Sequence, residues 1–412
     1  MYTYTEFDKQ FVRQRAAQYR DQLDRHLGGR LPDDEFRALR LQNGWYVQRH
    51  APMLRVAVPY GELSSAQLRG LARIARDYDR GYAHFTTRQN LQYNWIPLDK
   101  SAEVMDQLAA VHMHGIQTSG NCIRNITSDC FAGIAPDESV DPRPYGEIMR
   151  QWSTLHPEFA FLPRKFKIAV TGAGEDRAAI GWHDIGLHLL KNAAGEVGFK
   201  VLVGGGMGRT PVIGTVFREF LPWQQILVYI EAVVRVYNRY GRRDNAYKAR
   251  IKILVKAEGQ KFFDAVNVEF NNILTHDTDG DAQIVTQAEF DRVAASFVRP
   301  AGVAPIAGDE GRDAAVAAAL ATDQPVAYRR WLERNVHAHQ VAGYRAVTLS
   351  VKRAGQPPGD VSDAQMDAAA KASSAKSRAE TLSSELAVGR SKPSALAVAS
   401  RSMGKGDPAR AA

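Results

Sequence analysis

The sequence predicts a mixed α+β fold, in which two β-α-β half-units far apart in the chain flank a central α/β domain. Two observations carry this. LRVAVP (54–59) alternates as a strand does, SSAQLRGLARIARDY (64–78) follows with helical spacing behind Ser64 as N-cap, and HFTTRQNLQYNWIPL (84–98) reads as a strand again. The unit then starts a second time: GDVSDAQMDAAA (359–370) aligns without gaps on GELSSAQLRGLA (61–72), an offset of 298, and the apolar run AVTLSV (346–351) precedes it. Half-units that share a pattern at such a distance predict one pseudo-symmetric layer of ferredoxin-like topology, built from both halves of the chain.

Taken in order, residues 1–47 read as helical, with Phe7, Phe11, Ala16, Tyr19, Leu23 and Leu27 near helical spacing before the Gly28–Gly29 break. Residues 48–117 hold the first ferredoxin-like half-domain. Residues 118–330 read as the central α/β domain, with strands at KFKIAVT (165–171), GFKVLVGGG (198–206) and ARIKILVK (249–256) and a helix around WQQILVYIEAVVRVYNRY (223–240). Residues 331–370 begin the second half-domain. After Ala370 the repeat breaks: residues 371–412 contain 10 Ala, 9 Ser and no aromatic residue, and the last aromatic of the chain is Tyr344. Such a segment cannot bury enough apolar surface to offset its ordering entropy, so it reads as a disordered tail or an out-of-frame end, and the chain as cut short inside its repeat.

Composition narrows the function classes. Hydrophobic residues make up 45% and charged residues 24%, the balance of a soluble globular protein, and no apolar run reaches the length of a membrane span. The polar start MYTYTEFDKQFVRQR is unlike a secretory signal, and only two cysteines are present, so the cytoplasm is the expected compartment. Of the formal charge of +8, residues 371–412 carry eight Lys/Arg against three Asp/Glu, or +5, leaving +3 for the rest. A basic tail without interleaved aromatics does not predict a nucleic-acid partner.

Four segments place cationic or amide side chains where strands end: Arg88 and Gln89; Arg124 and Asn125; Arg164, Lys165 and Lys167; and Arg243, Asn245, Lys248, Arg250 and Lys252. On a strand of period two, Lys165 and Lys167 share one face while Arg164 and Phe166 take the other. Two ammonium groups one pleat apart repel, which makes sense when an anion sits between them, and repulsion lowers their pKa values toward those of useful proton donors. The glycine run at Gly204–Gly206 fits neither nucleotide motif; it reads as a tight turn that lets backbone approach a ligand carboxylate, or as a structural turn. No metal ligands are predicted, since His112/His114 and His337/His339 are spaced i, i+2 without a third ligand, and Cys122 and Cys130 form no C-x-x-C pair.

TTRQNLQ (86–92), GNCIRN (120–125), LPRKFK (162–167), LVGGGMGR (202–209) and NAYKARIK (245–252) stand in the same order as the matching motifs of the nitrite and sulfite reductase haemoproteins. Over about residues 45–370 the chain resembles that family, and in particular the siroheme and [4Fe–4S] beta component of assimilatory sulfite reductase. The resemblance implies a central siroheme-binding domain and the six-electron reduction of sulfite to sulfide at the siroheme iron, with nitrite as the alternative substrate and a flavoprotein or ferredoxin as electron donor. It implies that Arg88, Arg124, Lys165 and Lys167 surround the bound anion. Gln89, Asn125, Arg164, Gly205, Gly206, Asn245, Lys248 and Arg250 are the implied partners of the siroheme carboxylates. Nitrite-reducing relatives often carry Asn where this chain has Lys167, so the resemblance leans toward sulfite. Relatives hold their cluster with cysteines in C-x5-C and C-x3-C arrangements. None of those four is present here, so the cluster domain is expected to be absent, and a non-catalytic siroheme-binding fragment is the competing reading.

Overall fold

The computed structural model describes residues 1–277, 280–298, 325–341, 344–352 and 355–374. The first part runs α1 (Glu6–Leu27), α2 (Asp33–Gln42), β1 (Trp45–Val47), β2 (Pro52–Val56), α3 (Ser65–Tyr78), β3 (Tyr82–Phe85), β4 (Leu91–Tyr93) and α4 (Ser101–Ala110). The central part holds β5 (Thr127–Ser128), α5 (Arg143–Ser153), β6 (Ile168–Thr171), β7 (Ile185–Lys191), β8 (Val197–Val203), β9 (Thr215–Pro222), α6 (Ile226–Tyr240), α7 (Ile251–Glu258), α8 (Gln260–His276) and α9 (Gln287–Ala295). The last part holds α10 (Val326–Asn335), β10 (Val336–Ala338), β11 (Arg345–Val347), β12 (Asp360–Ser362) and α11 (Asp363–Ser374). The fold is mixed α+β, with two separate five-stranded sheets.

The repeat read from the sequence is visible in three dimensions. The first sheet has the order β1-β2-β4-β3-β12, so a strand from the end of the described chain completes a sheet begun near its start. Asp360–Ser362 pair antiparallel with His84–Tyr82. Both helices of the repeat start with the same device: Ser64 and Gln67 cap each other through Gln67 N–H to Ser64 Oγ (3.0 Å) and Ser64 N–H to Gln67 Oε1 (2.9 Å). Ser362 and Gln365, at the matching positions, make the same exchange at 3.2 and 2.9 Å. The two helices lie antiparallel, since Ser65 Oγ meets Ser373 Oγ at 2.9 Å while Arg76 Nε donates to Asp363 Oδ2 at 2.8 Å. Val361, Met366 and Ala370 are buried in the same core as Leu71, Ile74 and Ala75.

Four expectations need correction. ARIKILVK is helix α7, not a strand: a short apolar run carries no decisive period, and Ile251 and Val255, four apart, bury one helical face. HFTTRQNLQ is a hairpin, β3 and β4 joined by residues 86–90, with Gln89 in a left-handed turn conformation (φ 58°). Within 1–47, Trp45–Val47 form a strand against Leu54–Pro52 rather than helix. The run AVTLSV is strand only at Arg345–Val347, and it pairs with β10 instead of joining the layer. Helix α11 continues through Ser374, four residues into the tail of the sequence reading, and the rest of that tail lies outside the described residues.

In the second sheet, β5, β6 and β7 run parallel and β7, β8 and β9 antiparallel. All four residues of β6 are buried, as the near-continuous apolar run of a strand covered on both faces demands. Helix α6 is buried from Ile226 to Val234 and again at Val236 and Tyr237, and its apolar side chains join the same core. No described helix is long and apolar enough to cross a membrane. The β3–β4 turn of the first sheet comes down on β5 and on the N-terminal end of β6, and this junction positions the site.

Candidate anion and tetrapyrrole site

The segment leading into β6 is fixed by its main chain and by one phenylalanine. Phe166 is fully buried with its ring 5.6 Å from that of Tyr237. Its N–H donates to Cys122 O (3.0 Å) and its carbonyl accepts Arg124 N–H (2.8 Å). Next along, Lys167 N–H donates to Asp184 Oδ2 (2.9 Å) and Lys167 O accepts Ile185 N–H (3.1 Å). Phe166 turns inward, and Lys165 and Lys167 on either side of it are half-buried, close enough for Lys165 to repel the Lys167 ammonium. Neither ammonium makes a hydrogen bond or an ion pair among the described residues. Burial, then Arg124, Arg164, Arg250 and Arg55, pushes the Lys165 ammonium down to about 8. Burial, then Arg88 and Arg250, pushes Lys167 down to about 7 against the opposing pull of Asp184.

Arg88 projects from the β3–β4 turn to Thr127 Oγ1 (3.2 Å) and to the carbonyls of Asn125 and Ile168, while its Nε is buried without a partner. Burial and the neighbouring guanidinium groups of Arg124 and Arg250 lower its pKa. Arg124 donates to the carbonyls of Thr118 and Gly120 at 2.6–3.1 Å, which fixes the loop that carries it. Arg250, at the N-terminus of α7, donates from Nε (3.1 Å) and Nη2 (2.8 Å) to Asp184 Oδ1, and Asp184 is fully buried. Arg88, Arg124, Arg250, Lys165 and Lys167 therefore gather in one electrostatic neighbourhood, in which Arg88, Arg250 and Lys167 also feel the Asp184 carboxylate. Arg55 belongs to it as well, held by Gln92 Oε1 at 2.7 Å, and the sequence reading missed it. Its signal was there: a lone arginine inside the alternating strand LRVAVP.

The other predicted residues lie in and around this neighbourhood. Gln89 exchanges two hydrogen bonds with the main chain of Ser128 (2.7 and 3.0 Å). The Asn125 amide joins Val58 O and Asn90 Oδ1, both at 2.8 Å, so these two amides act as joints between the first sheet and the second. Arg164 lines, with Arg124 and Lys165, a cavity of about 610 Å³ that opens toward Arg37 and Tyr46 of the N-terminal part. A Cβ at Gly205 would stand 2.4 Å from Gly181 O and 2.5 Å from His183 O, so that turn is glycine because backbone packs on backbone. Gly206 donates its N–H to Val212 O (2.9 Å) and faces Arg250 and Lys252. Lys252 Nζ holds this turn through Thr210 O at 2.6 Å. Asn245 Oδ1 accepts Tyr247 N–H (3.0 Å) in its own turn, Lys248 is exposed, and neither shares a hydrogen bond with the lysine strand.

Residues 119–274 match the nitrite and sulphite reductase 4Fe-4S domain, and residues 46–111 match the nitrite/sulfite reductase ferredoxin-like half domain, together more than half of the chain. The chain belongs to the nitrite and sulfite reductase family. It is 31% identical over 261 residues to sulfite reductase [ferredoxin] 1 of Mycolicibacterium paratuberculosis, covering 62% of this chain and 46% of that one. It is 34% identical over 236 residues to the assimilatory ferredoxin-dependent nitrite reductase of Haloferax mediterranei, covering 53% and 40%. Among solved structures, the Mycobacterium tuberculosis NirA protein superposes with a TM-score of 0.63 at 23% identity, covering 85% of this chain and 60% of that one, a likeness of fold. The chain spans about half the length of the curated relatives it matches.

The family's cofactors are siroheme and a [4Fe–4S] cluster, and the residues present fit them unequally. A cubane needs about four thiolates, and this chain has two cysteines. Burial pushes the Cys122 thiol up, and burial beside Asp129 pushes Cys130 up to about 12, so both stay protonated. No group of three or more His, Cys, Asp or Glu stands ready for a metal among the described residues. Siroheme fits better: an orphaned Arg88 Nε and two unpaired ammonium groups are what a polycarboxylate and an oxyanion would satisfy.

Proposed function

We propose that the cation cluster binds a small oxyanion, sulfite in preference to nitrite, beside siroheme, and that the chain serves the six-electron reduction of that anion. The observation that carries this is the pair of half-buried ammonium groups on Lys165 and Lys167, left unpaired next to Arg88, Arg124 and Arg250. Unpaired cations are costly to bury, and an anion between them removes that cost. Siroheme, when bound, supplies an iron that can take the anion and pass electrons to it. The chain's own residues supply charge and protons. Arg88 and Arg124 are fixed by carbonyls and Arg250 by Asp184, and together they hold positive potential over the anion; the lysines, with values near 8 and 7, are charged enough to bind it and acidic enough to donate a proton from Nζ as an S–O or N–O bond breaks. Electrons come from a ferredoxin or a flavoprotein in the cytoplasm, and this chain's two cysteines provide no cluster route for them. That same count favours a second reading, a siroheme-binding chain that does not itself turn over.

The test is to express the chain in a host that makes siroheme and follow its absorbance while titrating sulfite or nitrite. Binding should perturb the spectrum, and Lys165→Ala with Lys167→Ala should weaken it at least about tenfold while siroheme content stays the same. Undiminished binding in the double variant would overturn the assignment. Steady sulfide production with an artificial donor would overturn the second reading.

A further inference from the structure

Three separate pieces of the site converge on one residue that no motif marked. Asp184 precedes β7 and is fully buried. Its Oδ2 accepts the Lys167 N–H (2.9 Å), its Oδ1 accepts Arg250 Nε and Nη2 (3.1 and 2.8 Å), and its carbonyl accepts Gly204 N–H (2.9 Å). The lysine strand, the arginine at the start of α7 and the glycine turn thus hang on a single side chain and its own peptide. A buried carboxylate is retained at such cost only where its partners satisfy it, and here the partners are the site itself.

We propose that Asp184 is a positioning residue: it holds Lys167, Arg250 and the glycine turn in register, and it supplies the one negative charge against which the Lys167 ammonium forms. This rests on the anion-binding reading above. The charged and titratable groups facing Lys167 and Asp184 are Arg88, Lys165, His183, Tyr237, Arg250 and Lys252. His183 is held neutral, its pKa lowered well below the usual value by burial and then by Arg88. Apart from Asp184, then, every charged group in that set is a cation. Removing the carboxylate charge lowers the proton affinity of Lys167, whereas removing Arg250 raises it. A merely structural aspartate predicts no such opposition in sign.

The experiment measures the titration of Lys165 and Lys167 in the full chain by their rate of acylation against pH, read by peptide mass spectrometry. In the parent chain Lys167 should gain reactivity around pH 7. Asp184→Asn, which keeps volume and an acceptor oxygen, should move that midpoint down by about one unit or more and move Lys165 less. Arg250→Gln should move it up, and this second variant keeps the idea testable where Asp184→Asn does not fold. An unchanged Lys167 midpoint in Asp184→Asn, with only a lower melting temperature, would overturn the proposal. Sulfite added to the parent chain should protect both lysines from acylation. Loss of that protection alone would sink the anion reading and leave the role of Asp184 standing.

Discussion

Arg150 and Lys167 are both cations drawn out of bulk water, and the chain treats them in opposite ways. Arg150 is 7% exposed and is met by Glu147 (Nε to Oε2, 2.7 Å) and by Asp8 (3.1 Å). Tyr60 and Tyr2 close the network by donating to those carboxylates at 3.2 and 2.9 Å. Burial pulls the Arg150 guanidinium down, and Glu147 with Asp8 more than reverses it, leaving the pKa raised well above the usual value. Among the described residues Lys167 has one carboxylate within reach, and that carboxylate is bonded to Arg250 and to the lysine's own N–H. A cation matched inside the protein holds a joint together; a cation left unmatched is waiting for something from outside. Arg150 ties α5 to the N-terminal segment, whereas the Lys167 ammonium ties nothing together among the described residues.

The sharpest way to break this contrast is Arg150→Met. It strands Glu147, which is fully buried, so unfolding in urea should show a loss of about 3–5 kcal/mol. A loss below about 1 kcal/mol would mean that the network is not matched in the sense argued.

Lys167→Met should do the reverse and stabilise the empty protein. Because the folded-state pKa is depressed to about 7, the native chain binds fewer protons than the unfolded chain between that value and the ordinary lysine range. Stability therefore rises with pH across that window, and the penalty is fully present below it. The variant should exceed the parent by at least about 1.4 kcal/mol, the worth of one unit, at pH 6, with the gain fading toward pH 10. A gain independent of pH, or a loss, would contradict the unpaired ammonium.

Tyr60→Phe sharpens the matched side with the smallest effect. It removes one hydrogen bond to Glu147 and leaves Arg150 in place, so calorimetry should find a cost of about 0.5–1.5 kcal/mol.

Much of the candidate site was legible because it is local. Lys165, Phe166 and Lys167 follow each other, so their nearness is written in the sequence itself. The repeat was legible because its signal, Ser-x-x-Gln before an apolar helix, is short and occurs twice. Helix α7 was not, since IKIL has β-branched residues and too short a run for its period to show; its packing against α8 decides. Asp184 and the Arg150 network were illegible for a different reason. Their partners lie 66 positions away for Arg250 and 142 for Asp8, and nothing at either end announces the other.

The place of β12 beside β3 has a kinetic consequence. Phe85 ends β3 and Asp360 begins β12, so 275 positions separate two neighbours in one sheet. Pairings of such high contact order form late, after the intervening domain has found its own fold. At the ~5–20 residues per second of ribosomal synthesis, the outer edge of β3 stays bare for roughly 15–60 s on a nascent chain. During that interval its free N–H and C=O groups invite strands from other chains, which makes this edge the step where a chaperone or a lower expression temperature should matter most for yield.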